Sequence, residues 1–158
     1  FGGVGIRKDA TWNVPEPELT LVLNRSMEVI GYLAGNDVSS RDIEGENPLY
    51  LPQAKVYDGS CAIGSAIHLA TDNALKDVPI RLSIRRGGQS VFEGETRSSE
   101  MKRGLSELAG FLGRELSFPQ GAFLMTGTGI VPPDGFSLQS GDTVRIEVFE
   151  VVLENEVA

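Results

Sequence analysis

What this chain has little of sets its first limits. Cysteine occurs once in 158 residues, at Cys61, so no internal disulfide can form and a reducing cytoplasm is the expected compartment. In its Gly, Ser and Ala surroundings Cys61 is expected to be a small buried residue rather than a nucleophile. Histidine also occurs once, at His68, within an apolar stretch and without an adjacent Ser or Asp, so it reads as a core or surface residue. Basic residues are outnumbered 14 to 22, for a formal net charge of −8. No basic stripe is left to neutralise phosphates, which excludes nucleic acid as the expected partner. No apolar run approaches a membrane span and no segment has the pattern of a signal peptide. There is no initiator Met either. The opening FGGVGIRKDA reads as the tail of a loop, and the expectation is that an upstream segment, such as a lid, precedes it.

What is present is the composition of a folded domain, 41% hydrophobic and 23% charged, long enough for one real core. Residues 12–24 begin Pro-Glu-Pro and continue LTLVL, a strand with its two prolines at the start, where a missing N–H is tolerated. A second strand over residues 27–36 follows closely enough to form a hairpin. Residues 39–47 predict a short helix capped by Ser39 or Ser40, with Asp42 and Glu44 at its positive end. Pro48 ends it, and residues 49–60 read as irregular. Further strands are predicted over 65–70 and 123–126, and a polar connection over 71–79. The alternation of Ile80, Leu82 and Ile84, then Gly87-Gly88, predicts the clearest hairpin. Leu105, Leu108, Ala109, Leu112 and Leu116 fall at helical spacing, so residues 99–116 predict an amphipathic helix, weakened by three glycines. Residues 132–135 read as a turn, and Val144, Ile146 and Val148 mark the last long strand. Many strands, few helices and no βαβ rhythm place the chain in a mainly-β (α+β) class, a sandwich or roll.

The chemistry concentrates in residues 12–64. Glu16 and Glu18 are two apart, so on a strand both carboxylates project from one face. Two such neighbours repel unless a cation is shared between them. Asp37, ending the next strand, offers a third oxygen ligand. An all-oxygen set suits magnesium, with manganese or calcium as alternatives, and the lack of nearby His or Cys argues against zinc. An acidic strand face in solvent has the same pattern. Lys55 lies in the turn-rich stretch, and Arg41 is placed to pair with Asp37 or Glu44 on the surface. Gly127-Thr128-Gly129 follows a strand and can present N–H groups and a hydroxyl to a carboxylate, as can any tight turn.

PEPEL at residues 15–19, NDVSSRDIEGENPLYLPQAKVYDG at 36–59 and TGTGIV at 126–131 together resemble the fumarylacetoacetate hydrolase family. The middle motif is closest to its 2-keto-3-deoxy sugar-acid dehydratase branch, of the 2-keto-3-deoxy-D-arabinonate type. The resemblance implies a single catalytic domain with a mixed β-sandwich roll, commonly dimeric. It implies a magnesium ion held at Glu16, Glu18 and Asp37, and Lys55 as the active-site lysine. Arg41, Glu44, Gly127 and Thr128 then lie near the metal or contact the substrate, a small 2-oxo acid. The implied reaction is dehydration through an enolate, with Lys55, desolvated beside a cation and so lowered in pKa, moving protons. The hydrolytic members' upstream His has no counterpart here. Acylpyruvate hydrolysis or oxaloacetate decarboxylation on the same scaffold is the alternative, and a non-catalytic domain the third.

Overall fold

A computed structural model describes residues 2–158. The elements run β1 (Asn13–Val14), β2 (Pro17–Leu23), β3 (Val29–Asp37), β4 (Ser39–Ser40), α1 (Arg41–Glu46), α2 (Leu51–Lys55), β5 (Cys61–Ile63) and β6 (His68–Leu69). There follow β7 (Pro79–Arg86), β8 (Gln89–Arg97), α3 (Leu105–Leu112), β9 (Ala122–Met125), β10 (Thr143–Val148) and β11 (Val151–Glu156). Single 3₁₀ turns occupy Pro48–Tyr50, Asp72–Leu75 and Ser98–Glu100.

Two antiparallel sheets make the roll, in the orders β5-β3-β2-β9, with β6 also on β3, and β11-β10-β7-β8. A two-stranded β1-β4 ribbon adjoins them. Parallel geometry is limited to the Val4–Val157 bridge among the described residues. The core lies between the sheets. Leu19, Leu21 and Leu23 of β2 meet Ile80, Leu82 and Ile84 of β7 and Val144, Ile146 and Val148 of β10 in one buried cluster. On β7 and β10 the buried positions alternate, as the period of two requires. Strand β2 is buried along its whole length, so its second face, bearing Glu18 and Thr20, is covered as well.

Several boundaries differ from the sequence expectations, each for a local reason. The first predicted strand is divided at its prolines: without donors at 15 and 17, the chain changes partner from β4 to β3. Residues 51–55 are helical rather than irregular, with Pro52 in the first turn, where its missing N–H costs nothing. Only His68–Leu69 of the predicted 65–70 strand pairs. The predicted helix over 99–116 shortens to Leu105–Leu112, bounded by Gly104 and Gly113. The last strand is a hairpin: β11 follows β10 through a turn in which Phe149 takes a φ of 53°. Cys61 is exposed rather than buried, because β5 is the outermost strand of its sheet.

Just before β10, Asp142 is fully buried and accepts two bonds from Arg86, at 2.7 and 2.8 Å. Burial alone would raise its pKa, but Arg86 and the Gln139 N–H bring it below the ordinary carboxylate value. No helix among the described residues is long and apolar enough to cross a membrane.

Candidate metal centre

Glu16 stands in the break between β1 and β2, and Glu18 begins the covered face of β2. In the β2–β3 register Glu18 lies opposite Gly35, two residues before Asp37. A Cβ at Gly35 would fall 2.3 Å from the Thr20 hydroxyl and 2.9 Å from Met125 Cε, so only glycine admits this close approach. The pairing therefore carries Asp37, at the end of β3, to the same place as the two glutamates. One carboxylate oxygen from each of Glu16, Glu18 and Asp37 lies within 4.8 Å of the other two.

Lys55 comes to this group from the last turn of α2, and not from a solvated loop. Its ammonium donates to Glu16 Oε2 at 2.5 Å and to Asp37 Oδ2 at 2.9 Å. Arg41, the first residue of α1, reaches Glu16 Oε1 at 3.5 Å, so its partner is neither Asp37 nor Glu44. Glu44 accepts weakly from the Ser39 hydroxyl at 3.4 Å. The hydroxyl of Ser40, at the helix N-cap, bonds Asn13 instead of capping α1. From the far side of β2, the Gly127 N–H donates to Glu18 Oε2 at 2.6 Å. The Thr128 hydroxyl turns inward to its own loop, bonded to the Ile130 N–H and carbonyl at 3.2 Å.

The electrostatics of the three acids are unbalanced. Burial raises Glu18 to about 7, assisted by the charges of Asp37 and Glu16, against the lowering effect of the Gly127 N–H and Lys55. Burial also raises Glu16, and the Lys55 bond only partly offsets it. For Lys55 burial acts downward, but its bonds to Glu16 and Asp37 outweigh it and the net shift is upward. Beside these carboxylates Lys55 thus holds its proton more tightly than an ordinary lysine; the lowered pKa expected of it applies beside a cation. Three buried or half-buried oxygens, one of them carrying an electrostatic cost on the order of 3 kcal/mol, fit a hard divalent cation.

The sign of the pH dependence follows from Glu18. A raised carboxylate pKa stabilises the metal-free fold fully below about 4.5, and that stability is lost as pH rises through about 7. Cation binding runs the other way, because the ion and the proton compete for the same oxygens. Magnesium affinity is therefore expected to fall by up to about tenfold per pH unit below 7 and to level off above it. Calorimetry from pH 5.5 to 8 in buffers of different ionisation enthalpy should find up to about one proton released per ion in the lower half of that range. An affinity independent of pH would remove Glu18 from the site.

Other predicted residues lie elsewhere. His68 stacks edge-on against Tyr32 at 5.7 Å and faces Glu150, not the carboxylates. Sequence reasoning missed that Cys61 is the cross-strand partner of Asp37. Although the residue is exposed, partial desolvation of its sulfur first, then the charges of Asp37 and Glu18, push its thiol pKa up. It also missed a cavity of about 290 Å³ beyond the Gly127-Thr128-Gly129 loop, where Thr96, Lys102 and Arg103 join the wall.

The chain is similar to known proteins along nearly its whole length. The chain is 47% identical over 146 residues to a probable 2-keto-3-deoxyxylonate dehydratase of Haloferax volcanii, covering 92% of this chain and 50% of the relative. It is 40% identical over 151 residues to 2-dehydro-3-deoxy-D-arabinonate dehydratase of Saccharolobus solfataricus, covering 94% and 50%. The chain thus spans about half the length of the relatives it matches. Among solved structures it superimposes with a TM-score of 0.91 on 2-keto-3-deoxy-D-arabinonate dehydratase complexed with magnesium and 2,5-dioxopentanoate. That match is 38% identical and covers 99% of this chain and 57% of the other. Residues 14–158 match the family model for the fumarylacetoacetate hydrolase C-terminal domain, and the chain belongs to that family.

Proposed function

We propose that this chain is the metal-binding catalytic part of a magnesium-dependent lyase. Its substrate is a 2-keto-3-deoxy sugar acid of the 2-keto-3-deoxy-D-arabinonate type, and its product a 2-oxo acid semialdehyde. The observation that carries this reading is the convergence of Glu16, Glu18 and Asp37 on one point with Lys55 seated among them. The dehydratases it resembles, one of them complexed with magnesium and 2,5-dioxopentanoate, supply the reaction class.

Glu16, Glu18 and Asp37 are assigned as the ligands. A cation held there supplies Lewis acidity toward the carboxylate and 2-oxo oxygen of the substrate, which acidifies its C3 proton. Lys55 is assigned the proton at C3. Once Glu16 and Asp37 share their charge with a cation, what holds the proton on Lys55 weakens and burial, which lowers its pKa, gains weight. Lys55 then has the character of a general base. The C3 proton and the C4 hydroxyl leave together as water, and the unsaturated product rearranges to the semialdehyde. Arg41 and Glu44 orient the ligand side from α1; Gly127 holds Glu18 through its N–H, and Thr128 is assigned to the substrate carboxylate, toward which its hydroxyl turns from the Ile130 carbonyl. A homodimer in a reducing cytoplasm completes the reading, supported by the family resemblance and the single cysteine.

The test uses the full-length protein with magnesium and compares semialdehyde formation from a 2-keto-3-deoxy pentonate with pyruvate release from an acylpyruvate. The dehydration is expected to have the higher kcat/KM. A higher value for acylpyruvate cleavage overturns the dehydratase reading and leaves the metal centre standing.

A further inference from the structure

Before β1, residues 5–12 lie across the helical segment that delivers Arg41 and Lys55. Arg7 is central to this strap. Its side chain is 20% exposed, and its guanidinium is gripped by both oxygens of Asp9, with Nε to Oδ1 at 2.8 Å and Nη2 to Oδ2 at 2.5 Å. The remaining nitrogen, Nη1, donates to the carbonyl of Gln53 at 3.0 Å. Gln53 is two residues before Lys55 in α2. The last carbonyls of a helix have no partner within it. The Val56 N–H takes that of Pro52, and Arg7 takes the next. The guanidinium also lies 5.8 Å from the ring of Tyr57, just beyond the helix.

Two further contacts hold this arrangement shut. Gly5 N–H donates to the Gly59 carbonyl at 2.8 Å, and the Tyr57 hydroxyl donates to the Gly5 carbonyl at 3.3 Å. A Cβ at Gly5 would meet the Asp58 carbonyl oxygen at 2.7 Å, and Gly59 has a φ of +76°, so two glycines are needed for the backbones to approach. At the other end of the strap, the Thr11 N–H and hydroxyl bond Asp42 Oδ2 at 2.6 and 2.9 Å, and the Arg41 N–H bonds the Trp12 carbonyl at 2.8 Å. The strap thus grips α1 at its start and α2 at its end.

We propose that Arg7, held by Asp9, is a positioning residue for Lys55: by binding the Gln53 carbonyl it fixes the last turn of α2, and so the place of the Lys55 ammonium between Glu16 and Asp37. Its consequence for turnover rests on the role assigned to Lys55 under Proposed function. Its consequence for geometry does not. Among the described residues, none of these Arg7 contacts reaches the carboxylates directly.

The two consequences are separable by experiment. In the metal-free protein, labelling of each lysine by an amine-directed reagent is followed by mass spectrometry, with Lys76 and Lys102 as internal standards. Arg7→Met is expected to speed labelling of Lys55 severalfold over both standards, Asp9→Asn to do so less, and Arg7→Lys to restore much of the protection. Unchanged Lys55 labelling in both Arg7→Met and Asp9→Asn overturns the proposal. In the assay with magnesium, Arg7→Met is expected to lower kcat about tenfold with little change in KM, and to have no further effect on a Lys55→Met background. An equal loss in both backgrounds makes the strap general scaffolding and also overturns it. If Lys55→Met alone retains full turnover, the role assigned to Lys55 fails, while the labelling result still decides the geometry.

Discussion

Replacing Glu18 with alanine is expected to leave a folded protein that neither binds magnesium tightly nor turns over substrate. Two opposing effects keep the fold. The substitution removes a carboxylate that is 3% exposed and raised to about 7, which relieves the metal-free protein of its least favourable charge. It also leaves the Gly127 N–H without its acceptor, a loss of about 1–3 kcal/mol. These terms are of similar size, so thermal unfolding should move little. Metal binding has no such compensation, because Glu18 supplies one of three converging oxygens and no other described carboxylate stands in that group. Calorimetric titration and assay with magnesium check both halves. Equal magnesium affinity in wild type and variant would place the ion elsewhere.

Replacing Lys55 with methionine is expected to cut turnover by roughly two to four decades, the usual contribution of a positioned acid or base. Metal binding should survive, and its affinity should rise. The Lys55 ammonium pairs with Glu16 and Asp37, so an entering cation must share both acids with it. Methionine keeps most of the length of the side chain and removes that competitor. The same loss lowers metal-free stability, since Glu16 and Asp37 are left facing each other and Glu18 with only Arg41, 3.5 Å from Glu16, as a countercharge. Adding magnesium should therefore raise the melting temperature of the variant more than that of the wild type. Turnover close to wild type would return Lys55 to a purely structural ion pair.

How much of this was legible beforehand depended on the range of the signal. The hairpins are local consequences of a period of two, and they were readable. So was the nearness of Asp37, because β2 and β3 are joined by a short turn. Glu16 and Glu18 do converge, but Glu16 does so from the break before β2 and not from a shared strand face. The meeting of Lys55 with Glu16 spans 39 residues, and no spacing rule reaches that far. Only the family resemblance brought it in. Helix α2 was hidden by Pro52, which breaks a helix in its interior and suits one in its first turn. The partner of Arg41 was misread because Glu16, in the break between β1 and β2, lies closer in space than the acids nearer in sequence. Cys61 looked buried from its small neighbours, but burial is set by strand order, and β5 is at an edge. The opening residues read as the tail of a loop, and they are irregular; the ties that Arg7, Asp9 and Thr11 make to both short helices had no signal in the sequence.

The expectations for metal binding and turnover depend on one claim, that Glu16, Glu18 and Asp37 together hold a divalent cation beside Lys55. The most direct measurement is anomalous diffraction from crystals of this protein equilibrated with manganese, which scatters anomalously and accepts the same oxygen ligands as magnesium. The account predicts a strong peak within bonding distance of one oxygen from each of the three carboxylates, with the Lys55 ammonium moved away from at least one of its two partners. A structure in which Lys55 still bridges Glu16 and Asp37, with manganese bound elsewhere or not at all, would contradict it.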